Sequence, residues 1–155
     1  MITEDAGEFF VNGHQCLVRC KGRAHWVGLI GGEQIVSSHN ASHVRSELID
    51  QAKYQVEVEP DFWKVCRAVH NFLQRQTTRD DEYIWTYRDT VINKVTPLND
   101  VGPAYRALLE LESLGLVEKG QIAMDLNVEE MFRATEADTD YSEIPDDPWA
   151  EYRSG

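Results

Sequence analysis

Two turn pairs, Asn12-Gly13 and Gly31-Gly32, limit how this chain can fold more than any other feature of it. Asn-Gly and Gly-Gly accept the positive φ angles of a two-residue reversal, and here each pair sits between short apolar runs. Phe9-Phe10-Val11 precedes the first pair and Cys16-Leu17-Val18-Arg19-Cys20 follows it. Lys21-Gly22-Arg23 separates that run from His25-Trp26-Val27-Gly28-Leu29-Ile30, and Gln34-Ile35-Val36 follows the second pair. Short runs closed by such turns predict antiparallel hairpins. Asn40 or Ser42 then caps a helix reaching about residue 53, with Val44, Leu48 and Ile49 on one face.

The pattern changes after residues 55–60, which read as a short strand or linker. Asp61 is placed to cap a helix in which Phe62, Val65, Cys66, Val69, Phe72 and Leu73 recur at helical spacing. Residues 77–81 are polar and read as a loop. A third helix is predicted over about residues 82–94, with Ile84, Tyr87, Val91 and Val95 on one side, and Pro97 ends it. Asn99 or Asp100 caps a fourth helix, whose Ala104, Leu108, Leu111 and either Leu114 or Leu116 face inward. Gly115 stands at its C′ position. Leu116-Val117 and Ile122-Ala123-Met124, separated by Lys119-Gly120, predict a final hairpin, and Asn127 opens a short helix to about Ala134. From Thr135 onward the chain is acidic and turn-rich, with Pro145 and Pro148, and is expected to be disordered. The fold class is therefore α+β: a β-rich module with one helix (1–57), a helical module (58–134) and an acidic tail (135–155).

At 155 residues and 42% hydrophobic content the chain can bury a core without disulfides or metal. The net charge of −12 is unevenly placed: residues 125–155 carry ten acids against Arg133 and Arg153, while the rest is close to neutral. A near-neutral body lacks the basic patch of a general nucleic-acid binder. No apolar run approaches a membrane span, so no membrane partner is expected. The opening MITEDAGEFF has neither the basic nor the apolar region of a leader, and Cys16, Cys20 and Cys66 are an odd set. Free thiols in a reducing cytoplasm are expected.

The stretch VGPAYRALLELESLGLVEKG, from Val101 to Gly120, resembles the third helix and first wing strand of winged-helix proteins. Leu111, Leu114, Gly115, Leu116 and Val117 occupy that superfamily's helix-to-wing pattern, and the helices from Asp61 and Glu82 would complete a trihelical core. The resemblance covers residues 61–134 and implies a third helix presented to a partner, in many members the DNA major groove. Here the outward positions Gly102, Pro103, Tyr105, Arg106, Leu109, Glu110, Glu112 and Ser113 offer one base against two acids. Lys94 and Lys119 add two charges nearby. Phosphate binding needs positive charge, so DNA contact is expected to be weak and a protein partner is favoured.

Other chemistry has little support in the spacing. Cys16 and Cys20 with His39 and His43 resemble a two-Cys, two-His zinc site, but an extended Leu17-Val18-Arg19 separates the cysteine Cα atoms by about 13 Å. Both sulfurs must lie about 2.3 Å from one zinc ion, so no metal is expected. Cys66 and His70, four apart in the apolar stripe, read as packing rather than a nucleophile and base. Gly28, Gly31 and Gly32 lack the Lys-Ser/Thr of a phosphate loop. Asp80-Asp81 and Glu129-Glu130 are adjacent and read as solvated charges. Ten acids over residues 125–155 are too sparse to imitate duplex phosphates. Tyr141, Ile144, Trp149 and Tyr152 among those acids fit a docking peptide with aromatic anchors.

The sequence thus points to a cytoplasmic, non-enzymatic regulatory protein, an adaptor or inhibitor without cofactor, acting on nucleic-acid machinery through protein contacts. A winged-helix regulator binding DNA directly is the alternative. The partner-binding set expected from the residues is Tyr105, Arg106, Leu109 and Lys119, with the four tail residues.

Overall fold

The computed structural model describes residues 4–98 and 101–144. The chain is a mixed α+β protein in two compact units, Met1–Pro60 with Thr96–Asp100, and Asp61–Val95 with Val101–Gly155.

The first unit is a four-stranded antiparallel meander with one helix on it. Its strands are β1 (Glu4–Val11), β2 (His14–Cys20), β3 (Trp26–Ile30) and β4 (Glu33–Ser38), hydrogen-bonded in that order. The first reversal has φ of 52° at Asn12 and 80° at Gly13, the geometry that favours Asn-Gly. The second uses Gly31 and Gly32, as expected. Asn40 caps α1 (Ala41–Ala52): its Oδ1 accepts from the backbone N of Ser42 at 2.8 Å and of His43 at 3.3 Å. Val44, Leu48 and Ala52, each a turn apart, are buried in one cluster with Phe9, Val11, Cys16, Val18 and Ile30. The helix rides close over Gly28, where a Cβ would lie 2.7 Å from Val44 Cγ1 and 2.8 Å from Leu48 Cγ. Residues 55–60 form no strand and are stitched to the first turn instead. Val58 N donates to Asn12 O at 3.0 Å, and Asn12 Nδ2 donates to Lys53 O at 3.0 Å.

The second unit runs α2 (Phe62–Arg75), β5 (Thr86–Tyr87), α3 (Arg88–Val95), α4 (Val101–Ser113), β6 (Val117–Met124) and β7 (Asn127–Ala134). Its antiparallel sheet has the order β5-β7-β6. The helices pack on one another, with β6 against α4 and β7 against α2 and α3. Phe62, Val65, Cys66, Val69 and Leu73 of α2 are buried as their spacing predicts, with Val91, Val95, Ala104, Leu108, Leu111 and Phe132. Asp61 holds the N-cap position, but its carboxylate turns to Lys64 Nζ at 3.2 Å and makes no capping bond. The caps expected at Asn99 or Asp100 lie outside the described residues. Gly115 ends α4 as expected: at φ 78° it lets Leu116 N reach Leu111 O at 2.9 Å while its own N reaches Glu112 O at 3.0 Å. That pair of bonds is the Schellman closure.

Four expectations are corrected. The third helix begins at Arg88 rather than Glu82, and Ile84 and Tyr87 are each 42% exposed instead of packed. The run Tyr83-Ile84-Trp85-Thr86-Tyr87 is aromatic and β-branched, and it spends Thr86 and Tyr87 on pairing with Phe132 and Met131. Lys119-Gly120 is not a turn, because β6 passes straight through it and reverses at Asp125-Leu126. Residues 127–134 form β7 rather than a helix, with Phe132 and Ala134 alternating inward. Residues 135–144, expected to be disordered, are tied to the second unit at Thr135, Tyr141 and Ile144 while the residues between them are mostly exposed. Thr135 N donates to Leu116 O, a single 3-10 turn at Tyr141–Glu143 lies against α2, and Ile144 is buried. The rest of the tail, 145–155, lies outside the described residues.

Candidate interaction surface

The fourth helix, α4, does not present an open reading face. Tyr105, Arg106 and Leu109 are all half-buried, and so are Glu110 and Glu112. Arg88 places its guanidinium 5.5 Å from the centre of the Tyr105 ring and also meets Asp89 at 3.3 Å and Glu130 at 3.5 Å. Tyr105 is thereby held in a contact inside the unit. Arg106 is likewise engaged within the chain. Lys119 is exposed on β6.

Tyr141 and Ile144 serve the fold of the second unit. The Tyr141 hydroxyl bonds to His70 Nδ1 on α2, with the rings edge-to-face at 5.5 Å between centres. Burial pushes the Tyr141 phenol up to about 12, with Asp138 adding and Arg67 opposing. His70 is fully buried and its Nε2 meets no hydrogen-bond partner, so burial holds its pKa below the ordinary imidazole value, against Asp138. Trp149 and Tyr152 lie outside the described residues.

In the second unit an open apolar surface lies on the β6-β7 hairpin and the segment before α3, where sequence reasoning had placed a turn and helices. Leu126 at the hairpin tip is 100% exposed, Val128 61% and Ile122 39%. Side chains alternate across a sheet, so the register puts Glu118, Gly120 and Ile122 of β6 on one face with Arg133, Met131 and Glu129 of β7. Trp85 lies flat on that face: a Cβ at Gly120 would stand 3.1 Å from its ring, and Arg133 sits 4.4 Å above its centre while bonding Glu118 at 2.7 Å. The glycine in mid-strand makes room for the indole. Two signals pointed here, the aromatic and β-branched run 83–87 and the alternation in residues 127–134.

The thiols and histidines are scattered. Cys16 is buried in the first unit, where burial pushes its thiol up to about 12. Cys20 Sγ donates to Gly22 O at 3.1 Å, His39 Nδ1 contacts Ala24 O at 2.9 Å, and His43 is exposed. Cys66 and His70 are both fully buried. Among the described residues no group of three or more His, Cys, Asp or Glu could hold a metal ion, and no helix is long and apolar enough to cross a membrane.

No family model, no curated protein and no solved structure matches this chain.

Proposed function

We propose that this chain is a non-enzymatic adaptor or inhibitor of nucleic-acid machinery, cytoplasmic, and that it works through protein contacts made by a winged-helix-type second unit. The order helix, short strand, helix, helix, hairpin, with the short strand paired to the last one, supports the winged-helix reading. The observation that carries the functional reading is the chemistry of the open surface. Leu126 is exposed at the hairpin tip, with Ile122 exposed on one face of the hairpin and Val128 on the other, beside Glu118, Asp125 and Glu129, while α4 offers one half-buried arginine. Apolar residues rimmed by acids suit a protein partner, whereas phosphates require clustered positive charge. Direct DNA binding is the second reading, favoured by the same element order and by exposed Lys119.

Affinity capture from native lysate tests the proposal, with the wild type beside a chain carrying Ile122→Ser, Leu126→Ser and Val128→Ser. A protein retained by the wild type after nuclease treatment and lost by the variant supports the adaptor reading. Identical captured sets contradict the assignment to this hairpin, and a set that disappears with nuclease moves the function to nucleic acid.

A further inference from the structure

We propose that the open edge of β6 accepts an extended, basic segment of a partner protein as the fourth strand of the β5-β7-β6 sheet. The inference rests on the protein-contact reading above and names the partner's chemistry.

An unpaired sheet edge is a template for another strand, and proteins blunt such edges with short strands, bulges or charge. Among the described residues the two sheets end in β1, β4, β5 and β6. β1 carries a register shift between Asp5 and Gly7, and the β3–β4 ladder shifts between Gly28 and Leu29, where Ile35 is the extra residue in β4. β5 is two residues long. β6 alone among them is long and regular: eight residues pair with β7 without a shift, and its only positive charge is Lys119.

The direction of its free groups follows from the hairpin. Met124 and Asn127 bracket the two-residue turn, and such a closing pair exchanges both hydrogen bonds. Thr135 N donating to Leu116 O at 3.0 Å continues the same alternation at the other end. Glu118, Gly120 and Ile122 therefore bond to β7. The backbone N–H and C=O groups of Val117, Lys119, Gln121 and Ala123 point to the open edge. Lys119, Gln121 and Ala123 are exposed and Val117 is buried, so the open stretch of the edge runs from Lys119 to Ala123.

Charge selects the occupant. Residues 110–130 hold six acids and one lysine, and Glu118 and Asp125 stand at the two ends of the strand. Between them lie Gly120, Ile122 and the Trp85 ring. An added strand gains main-chain bonds from the edge and specificity from alternate side chains. The fitting segment has a basic residue near each end and small or apolar residues between. A second copy of this chain brings its own −12 and the same acids, so like charges oppose self-pairing.

The test uses the full-length, isotope-labelled chain and the peptide Lys-Thr-Val-Thr-Val-Thr-Lys, with Glu-Thr-Val-Thr-Val-Thr-Glu as its charge-reversed control. At ten times the dissociation constant of the basic peptide, amide exchange at Lys119, Gln121 and Ala123 slows by about tenfold. Gly120 and Ile122, already bonded to β7, change little. Gln121→Pro removes one outward N–H without touching the β6–β7 bonds, so it abolishes binding and leaves the remaining amide spectrum in place. The proposal is overturned by absence of binding, by equal binding of the acidic peptide, or by shifts confined to α4 or residues 135–144. Protection of the same amides in concentrated, peptide-free protein with dimer formation assigns the edge to a second copy and also overturns it. Loss of the strand edge is distinguishable from loss of the adaptor reading. Peptide binding together with tight duplex binding through Arg106 keeps the edge and removes the adaptor, and nuclease-resistant capture without peptide binding does the reverse.

Discussion

Replacing Gly13 with alanine separates two costs that usually arrive together, because Gly31 supplies a control for one of them. Both glycines sit in two-residue turns at positive φ, 80° and 60°. A side chain in that region costs about 1–2 kcal/mol. At Gly31 a new Cβ meets nothing within 4 Å, so Gly31→Ala should lose about 1 kcal/mol from conformation alone. At Gly13 the Cβ would stand 1.4 Å from Val58 O and 2.5 Å from Val58 C. That is backbone, so residues 55–60 must leave the turn. Their departure forfeits Val58 N to Asn12 O, Asn12 Nδ2 to Lys53 O, and the contact of His14 Nε2 with Val56 O at 2.5 Å. At roughly 0.5–1.5 kcal/mol per bond these three add about 1.5–4.5 kcal/mol, giving with the conformational cost a total of roughly 2.5–5.5 kcal/mol for Gly13→Ala. Native-state hydrogen exchange of the slowest β2 amides reads the opening free energy of this unit directly. A Gly13→Ala loss within about 0.5 kcal/mol of the Gly31→Ala loss, the usual span of surface substitutions, would refute the anchoring of residues 55–60 on the turn.

Two further outcomes follow from buried groups. The unfolded chain titrates His70 near 6.5 and the folded chain below it, so between those values the unfolded state binds the extra proton. Stability of the 135–144 segment is therefore full above about pH 6.5 and falls as the pH drops toward the folded value: amides of Glu143 and Ile144 should exchange faster at pH 5.5 than at pH 7.5 after correction for intrinsic rates, and His70→Gln should remove that difference. Thiol labelling of the native chain at pH 8 should modify Cys20 and spare Cys16 and Cys66, which are fully buried; labelling of Cys16 at the rate of Cys20 would contradict its burial.

Local signals were sufficient wherever the determining chemistry was itself local. Asn12-Gly13, Gly31-Gly32, Asn40 and Gly115 each set a turn or cap through their own dihedral or side-chain preferences, and the structure places all of them in those roles. The α2 stripe was legible because helical spacing selects one face. What escaped was pairing over distance. Residues 82–87 carry apolar residues compatible with a helix; the bridge of Tyr83 to Thr77 and the pairing of Thr86 and Tyr87 with Phe132 and Met131, some 45 residues on, fix them as extended. Gly120 resembled a turn residue because the Trp85 ring that requires a glycine there lies 35 positions earlier. The same non-local packing hides Tyr141 and Ile144, whose acidic neighbours carry the look of an unstructured tail while His70 and α2 hold them. Tyr105, Arg106 and Leu109, read as outward positions of the helix, are half-buried, and Arg88 lies over the Tyr105 ring.

The central claim is that this chain acts through protein rather than through DNA, and fluorescence anisotropy against random duplex and single-stranded DNA at two salt concentrations tests it most directly, with Arg106→Glu as the control. Each neutralised phosphate contributes about 0.9 to the slope of log affinity against log salt. Arg106, Lys94 and Lys119 can neutralise only a few phosphates, and Glu110 and Glu112 oppose them. The account predicts non-specific binding no tighter than roughly 10⁻⁴ M near physiological salt, with a shallow slope and little change in the variant. Tight, steeply salt-dependent binding that Arg106→Glu abolishes would contradict it and make the chain a DNA-binding regulator.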